Sequence, residues 1–282
     1  MLLDRLFRRH NTRTKLAVVL LAALILFQAE SRLADTRDKR ADNKPVAPLS
    51  AVQCPPDFLA GKLKVLVTDL GVPAQSIPTD FEQKVRRWAR LYQTRDRDEI
   101  EVVLGSRRHD FEVVRQQVAS ANLPPDLAFV TLVESHFQAG TKSADDNAGL
   151  WQFTRDTARR NGLKVNASID ERLDPHKSTE AACRYFLRLR HHLGRESSLM
   201  LVLAAYNMGP GRLTKRMQQV GDVQKRYDFW HLYQTRLLPA ITRTHLARLM
   251  AAILIGRHPQ YFGFKTGTPG DLESVSSEVS HF

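Results

Sequence analysis

The chain has 282 residues, of which 43% are hydrophobic and 26% are charged. This is the composition of a folded protein, and it excludes a disordered, collagenous or polytopic membrane chain. Lys and Arg outnumber Asp and Glu by 42 to 30, a net charge of +12, which favours a partner with negative charge: nucleic acid, an anionic membrane surface or an acidic polymer.

The first predicted element is an N-terminal targeting segment over residues 1–29. Five basic residues and one acid lie in residues 1–15, and an unbroken apolar run of twelve follows over residues 16–27. A membrane-spanning helix needs ~20 apolar residues, so the pattern indicates either a cleaved export signal or a retained anchor, and both stay open. In either case we expect the rest of the chain outside the cytoplasm, which excludes nucleic acid as its main partner.

The remaining chain is helical in pattern. Residues 30–54 are charged and contain prolines, which predicts a linker. Apolar residues recur at helical spacing through residues 55–122, a predicted helical lead-in, and again through residues 123–264. Because no alternating pattern predicts a strand, the fold class is mainly α. The Gly- and Ser-rich residues 265–282 predict a disordered tail.

Cys54 and Cys183 are the two cysteines of the chain. Two cysteines without a CxxC spacing are too few for a disulfide scaffold and argue against structural zinc. A disulfide between them in an oxidising compartment stays open.

Glu134 is the first candidate for chemistry. Six of the seven residues before it are apolar, so we expect a helix buried nearly all round, with Glu134 at its C-terminal end. Desolvation and the negative end of the helix dipole both disfavour a carboxylate there, which predicts a raised pKa and a protonated group near neutral pH. Such a group suits a general acid for a glycosidic oxygen. A partly buried glutamate paired with an arginine is the alternative.

The second candidate element is Gly149-Leu-Trp151-Gln152-Phe153. A glycine lets backbone approach a ligand closely, an indole offers a flat apolar wall, and an amide can both donate to and accept from a sugar. A helix start with a core tryptophan would look the same.

The third candidate element follows seven consecutive apolar residues, 199–205, which mark a central helix. It reads Tyr206-Asn207-Met-Gly-Pro-Gly-Arg212. A phenol and an amide at the end of a buried helix must find hydrogen-bond partners or cost roughly 1–3 kcal/mol each. Gly209 suits a left-handed C-cap, so an ordinary helix cap remains the alternative.

In this order, the three elements resemble the lytic transglycosylases of the soluble-lytic-transglycosylase domain group, most closely the membrane-bound murein transglycosylase D type. Residues 169–175 and 228–232 are also similar to that type. The likeness covers about residues 80–264.

The resemblance implies a lysozyme-like, mainly helical catalytic domain over residues 123–264. It implies cleavage of the β-1,4 bond between N-acetylmuramic acid and N-acetylglucosamine in peptidoglycan. Glu134 matches the family's single catalytic glutamate, which protonates the bridging oxygen and then, as a base, activates the muramic acid O6 hydroxyl. That hydroxyl attacks the anomeric carbon, so the product carries a 1,6-anhydro end and no water is consumed.

The resemblance also implies the residues that bind substrate. By position, Gln152 and Ser143 would bond the sugar, Trp151 would form part of the floor, Tyr206 would orient Glu134 or the acetamido group, and Asn207 would hold the backbone of the site. No cofactor or metal is expected, and the expected partner is the glycan strand of peptidoglycan. The expected location is the periplasm or cell envelope, with inner-membrane anchoring by residues 16–29 as one possibility.

The chain departs from the family pattern at two places. Asp146-Asn147 stands where the family commonly has Gly-Ala, and Asp145 precedes it; a second carboxylate there that holds a water would make a hydrolytic muramidase. Ile241-Thr242, followed by His245, stands where the family commonly has Glu-Thr followed by Tyr. Besides a lytic transglycosylase and a hydrolytic muramidase, the third hypothesis for the function is a non-catalytic wall-binding or assembly protein.

Overall fold

The structure, a computed structural model, describes residues 55–265. Its α-helices are α1 (Pro56–Asp69), α2 (Thr79–Gln93), α3 (Arg97–Glu101), α4 (Arg108–Ser120), α5 (Phe129–Ser135), α6 (Arg155–Arg160), α7 (Pro175–Leu193), α8 (Leu199–Met208), α9 (Pro210–Met217), α10 (Phe229–Gln234) and α11 (Ala240–Arg257). A π-helical turn, Val102–Ser106, precedes α4, and 3-10 turns occupy Ala74–Ser76, Pro125–Ala128, Glu171–Leu173, Lys225–Tyr227 and Pro259–Phe262.

The predicted mainly α fold class is confirmed. Extended backbone pairing among residues 55–265 is confined to isolated antiparallel bridges, Lys142 to Ala148, Ala148 to Phe153 and Val165 to Asp170. Measured by length and hydrophobicity, none of the helices in this range is suited to crossing a membrane.

Local sequence signals set several helix starts. The side chain of Asp174 caps α7 by accepting from the amide of Lys177, and Ser198 caps α8 in the same way through Leu201. Asp228 caps α10. Such side-chain acceptors satisfy amides that a helix leaves unpaired at its first turn.

Helix α11 lies at the centre of the molecule. Ten of its residues are buried, and it packs against α1, α2, α5 and α8. Buried side chains from these helices belong to one hydrophobic core. The lead-in helices α1 and α2 therefore share their core with the region that carries the candidate residues.

A glycine sets the distance between α11 and α5. A Cβ on Gly256 would lie 1.9 Å from Cζ of Phe129. Only a residue without a side chain allows this approach, so Gly256 fixes how closely the helix of Glu134 packs on α11.

Several sequence predictions concern residues outside the described range. These are the signal or anchor over residues 1–29, the linker over residues 30–54 and all of the predicted tail except Lys265. Cys183 is buried on α7, whereas Cys54 lies outside the described residues.

Candidate active site

Glu134 lies at the end of α5, as predicted. Its neighbours in the helix are buried, whereas its own side chain keeps 21% of its surface exposed. Burial raises the pKa of Glu134 from its ordinary 4.5 to about 7, against the opposing effect of the Arg248 guanidinium. The direction agrees with the sequence prediction. A carboxyl group with this pKa, within reach of solvent, can both donate and accept a proton near neutral pH.

The chain turns sharply directly after Glu134. His136 and Phe137 have φ values of +54° and +58°, a region that residues with a Cβ disfavour. Arg107 holds the second of these residues, because it donates to the carbonyl oxygen of Phe137 and its guanidinium lies 4.6 Å from the centre of that ring. The turn leaves the Glu134 carboxyl at a helix end, facing the site.

Arg248, on α11, carries the positive charge that acts on Glu134. Its Nη2 lies 2.9 Å from Oε2 of Glu99, and its Nε donates to the hydroxyl of Tyr92 at 3.0 Å. The guanidinium also lies 5.1 Å from the centre of the Trp88 ring. All three partners belong to the lead-in helices α2 and α3, so the lead-in holds the cation whose charge acts on the candidate acid. Sequence reasoning did not single out Arg248, because no local pattern marks it.

His245 lies one turn before Arg248 on the same helix. Its Nε2 is 3.7 Å from Oε1 of Glu134, and its side chain is 12% exposed. Burial, and the charge of Arg248 after it, lower the pKa of His245 to about 4. The imidazole is therefore neutral at neutral pH. In the sequence, His245 is notable only because it stands where the family commonly has a tyrosine.

Gln152 and Ser143 lie in the loop between α5 and α6. Nε2 of Gln152 donates to the carbonyl oxygens of Gly149 at 2.9 Å and Thr141 at 3.2 Å. Oγ of Ser143 accepts from the amide of Asn147 at 3.0 Å. Both side chains are half-buried, and each helps to hold the loop in shape.

Gly149 is required by this loop. Its φ is +79°, and a Cβ there would lie 1.7 Å from the carbonyl oxygen of Arg172. The sequence pattern predicts that this glycine lets the backbone approach a ligand; in the structure it lets the backbone of a neighbouring segment, at Arg172, approach instead.

Trp151 lies beneath the site. Its side chain is 1% exposed, and its Nε1 donates to Oγ1 of Thr179 at 3.0 Å. A ring so deeply buried supports the floor from below and has no surface free for a sugar in this conformation. This is the core placement that the sequence left open as an alternative.

Tyr206 and Asn207, at the end of α8, are both held by hydrogen bonds. The hydroxyl of Tyr206 donates to the carbonyl oxygen of Trp151 at 2.6 Å, and its ring stacks on Phe186 at 4.9 Å. Oδ1 of Asn207 accepts from Oγ1 of Thr242 at 2.8 Å, which joins α8 to the start of α11. Burial raises the pKa of Tyr206, and the Glu134 charge acts in the same direction.

Asp146 forms ion pairs. Its Oδ2 lies 2.5 Å from Nε of Arg155, and its Oδ1 lies 3.4 Å from Nη2 of Arg172. The hydrogen bond from Arg155 is the main cause that lowers the pKa of Asp146. Arg172 is fully buried and also pairs with Asp170 at 2.8 Å. Sequence reasoning missed this buried arginine.

A cavity of about 500 Å³ lies beside the same loop. Its lining includes three cations, Lys142, Arg155 and Arg159, and one carboxylate, Asp170. Its polar lining suits a ligand rich in hydroxyl or carboxylate groups. Among residues 55–265, no group of three or more His, Cys, Asp and Glu side chains could hold a metal ion.

Comparison with known proteins agrees with the resemblance drawn from the sequence. Residues 113–229 match the family described as Transglycosylase SLT domain. The chain is 31% identical to "Membrane-bound lytic murein transglycosylase D" of Escherichia coli K12 over an aligned stretch of 160 residues. This stretch covers 57% of this chain and 34% of that protein. The chain thus spans about a third of the length of this relative.

Two further relatives match shorter stretches. "Membrane-bound lytic murein transglycosylase F 2" of Alkalilimnicola ehrlichii is 31% identical over 120 residues, 41% of this chain and 25% of that protein. "Peptidoglycan transglycosylase gp16" of Escherichia phage T7 is 34% identical over 108 residues, 37% of this chain and 8% of that protein. Glu134 and the five predicted binding residues lie within the family match, whereas His245 and Arg248 lie beyond its end.

Proposed function

We propose that this chain, which carries a Transglycosylase SLT domain, is an enzyme that cleaves the glycan strands of peptidoglycan as a lytic transglycosylase. The observation that carries the proposal is Glu134, a partly buried carboxyl group within reach of solvent inside the matched domain, with a pKa raised to about 7. Relatives named as murein and peptidoglycan transglycosylases support the substrate.

The proposed reaction uses Glu134 twice. As an acid, Glu134 gives its proton to the oxygen that bridges N-acetylmuramic acid to N-acetylglucosamine, and the bond from that oxygen to the anomeric carbon breaks. The resulting carboxylate then takes the proton of the muramic acid O6 hydroxyl as that oxygen bonds to the anomeric carbon. The products are a 1,6-anhydro end and a free N-acetylglucosamine hydroxyl. One group with a pKa near the working pH can serve both steps.

The neighbouring residues are proposed to shape the substrate site. Because Tyr206 donates its only proton to Trp151, its oxygen lone pairs remain able to accept from the acetamido N–H of the sugar. Gln152 and Ser143 offer side-chain oxygens from the loop, Trp151 supports the floor, and the Asn207 bond to Thr242 holds the end of α8 against α11.

The hydrolytic alternative requires a second carboxylate that holds water. Asp146 is poorly suited to that task, because each of its oxygens already faces a guanidinium and its lowered pKa makes it a weak base. Asp145, an exposed residue of the same loop, remains the other candidate for that reading. A non-catalytic wall-binding or assembly protein would not require a carboxyl group with a raised pKa at position 134.

The proposed location is the cell envelope. An export signal or anchor in residues 1–29 would place the described domain in the periplasm, beside its polymer substrate. Digestion of purified sacculi, followed by mass analysis of the products, tests the proposed function: anhydro-muramic ends support it, and reducing muramic ends support the muramidase.

A further inference from the structure

The imidazole of His245 lies beside the Glu134 carboxyl, with 3.7 Å between Nε2 and Oε1. It comes from α11, a helix that starts beyond the family match. The 3.7 Å between Nε2 and Oε1 is longer than a hydrogen bond. Catalytic hydrogen bonds are often long before substrate is bound and shorten in the complex.

The backbone around His245 is held on both sides. Thr242 bonds Asn207, and Arg248 bonds Tyr92 and Glu99. The spacing of three residues from Thr242 to His245 and again to Arg248 puts all three side chains on one face of α11. The imidazole is therefore carried to Glu134 by a helix that is fixed one turn before it and one turn after it.

Charged groups on three helices lie around the imidazole. Glu134 faces it from α5, Arg248 lies one turn along its own helix, and Glu99 of α3 pairs with Arg248. Burial and Arg248 lower the pKa of His245 to about 4. A protonated imidazole would add a second cation beside Arg248 and would favour ionisation of Glu134 before substrate binds.

We propose that His245 is a positioning residue for Glu134, whose Nε2–H donates to the carboxylate that forms when Glu134 protonates the glycosidic oxygen. This inference rests on the proposed function. An uncharged donor stabilises the carboxylate between the two proton transfers, yet it does not ionise the acid beforehand as a permanent cation would. The same contact would hold the carboxyl in one orientation for both steps.

The test uses full-length protein with two substitutions at one position. His245→Phe keeps a ring of similar size but has no donor, and His245→Gln keeps an N–H donor. His258→Phe is the matched control, because His258 is a half-buried histidine directly after the same helix, at the end far from Glu134, and its ring packs against Phe58 and Tyr261. Thermal unfolding followed by circular dichroism shows whether each variant folds.

The first readout does not depend on turnover. Carbon NMR of protein labelled at glutamate carboxyl groups follows the titration of Glu134, whose signal is identified by its absence in Glu134→Gln. A hydrogen bond to a charged group is lost in His245→Phe, so we expect the proton affinity of Glu134 to rise about tenfold. His245→Gln and His258→Phe should stay within about threefold of the wild type.

The second readout is turnover of a soluble glycan oligomer. We expect kcat of His245→Phe to fall about tenfold with KM within about twofold, and His245→Gln to recover most of the loss.

An unchanged Glu134 titration in His245→Phe, or an equal shift in His245→Gln, overturns the proposal. If His245→Phe does not fold, His245→Leu takes its place as the variant without a donor. A wild-type protein without turnover would contradict the proposed function, while the NMR titration would still decide the role of His245.

Discussion

Nη2 of Arg248 lies 2.9 Å from Oε2 of Glu99, although 149 positions separate the two residues in the chain. The pair joins the last long helix to the lead-in. It also offsets a positive charge that would otherwise act more strongly on Glu134. The lead-in therefore contributes to the acidity of the site as well as to the core.

The first prediction follows from this ion pair. Glu99→Gln removes the negative partner of Arg248, so the unpaired guanidinium should stabilise the Glu134 carboxylate and lower the pKa of Glu134 below about 7. The alkaline limb of kcat/KM against pH should move to lower pH. Glu101→Gln is the control, because Glu101 lies on the same short helix and pairs with Arg97 at the surface. Identical profiles for Glu99→Gln and the wild type would contradict the electrostatic role.

The second prediction concerns stability against pH. The folded-state pKa of Glu134 is raised from 4.5 to about 7, so the folded protein disfavours the carboxylate more than the unfolded chain does. Stability is fully present below pH 4.5 and is lost as pH rises through 7. Glu134→Gln does not titrate and should be more stable than the wild type at pH 8, by on the order of 2–3 kcal/mol.

Urea unfolding at pH 5 and pH 8 measures this difference. His245 is neutral in the folded protein over that range but gains a proton at pH 5 in the unfolded chain. This contribution is common to the wild type and Glu134→Gln, so it cancels when the two are compared. Equal pH dependence for the wild type and Glu134→Gln would show that burial does not act on this carboxyl as described.

The third prediction concerns Gly149. In Gly149→Ala the new Cβ would meet the carbonyl oxygen of Arg172 at 1.7 Å, at a φ of +79°. We expect a loss of roughly 3 kcal/mol or more in the free energy of unfolding, because backbone atoms must move apart.

Gly209→Ala separates the clash from the backbone strain. Gly209 also has a positive φ, of +88°, but a Cβ there would meet nothing within 4 Å. With its ψ of 136°, this backbone favours glycine, so the substitution should cost about 1–3 kcal/mol from strain alone. If the two variants lose the same stability, the close approach to Arg172 is not what requires a glycine at position 149.

The sequence predicted those parts of the site that depend on local pattern. The apolar run before Glu134 was enough to predict a buried helix, a helix end and a raised pKa, because all three follow from neighbours in the chain. The same reasoning left the role of Trp151 open, because a tryptophan that faces a sugar and one in the core produce the same local pattern.

The parts that sequence could not predict depend on contacts across the fold. His245 and Arg248 reach Glu134 only because α11 packs against α5, and no spacing in the chain indicates that contact. The buried Arg172 was missed for a similar reason, since its partner Asp146 lies 26 positions earlier in another loop. The hydrogen bond from Tyr206 to Trp151 spans 55 positions.

The central claim is that Glu134 performs both proton transfers of a non-hydrolytic cleavage. The most direct measurement is mass analysis of glycan fragments from purified sacculi after digestion by the wild type, Glu134→Gln and the control Glu112→Gln, whose carboxylate is half exposed and pairs with Arg115 at the surface. We predict 1,6-anhydro-muramic ends with the wild type and with Glu112→Gln, and a loss of at least about a hundredfold in product with Glu134→Gln. Reducing muramic ends from the wild type, or undiminished product from Glu134→Gln, would contradict the account.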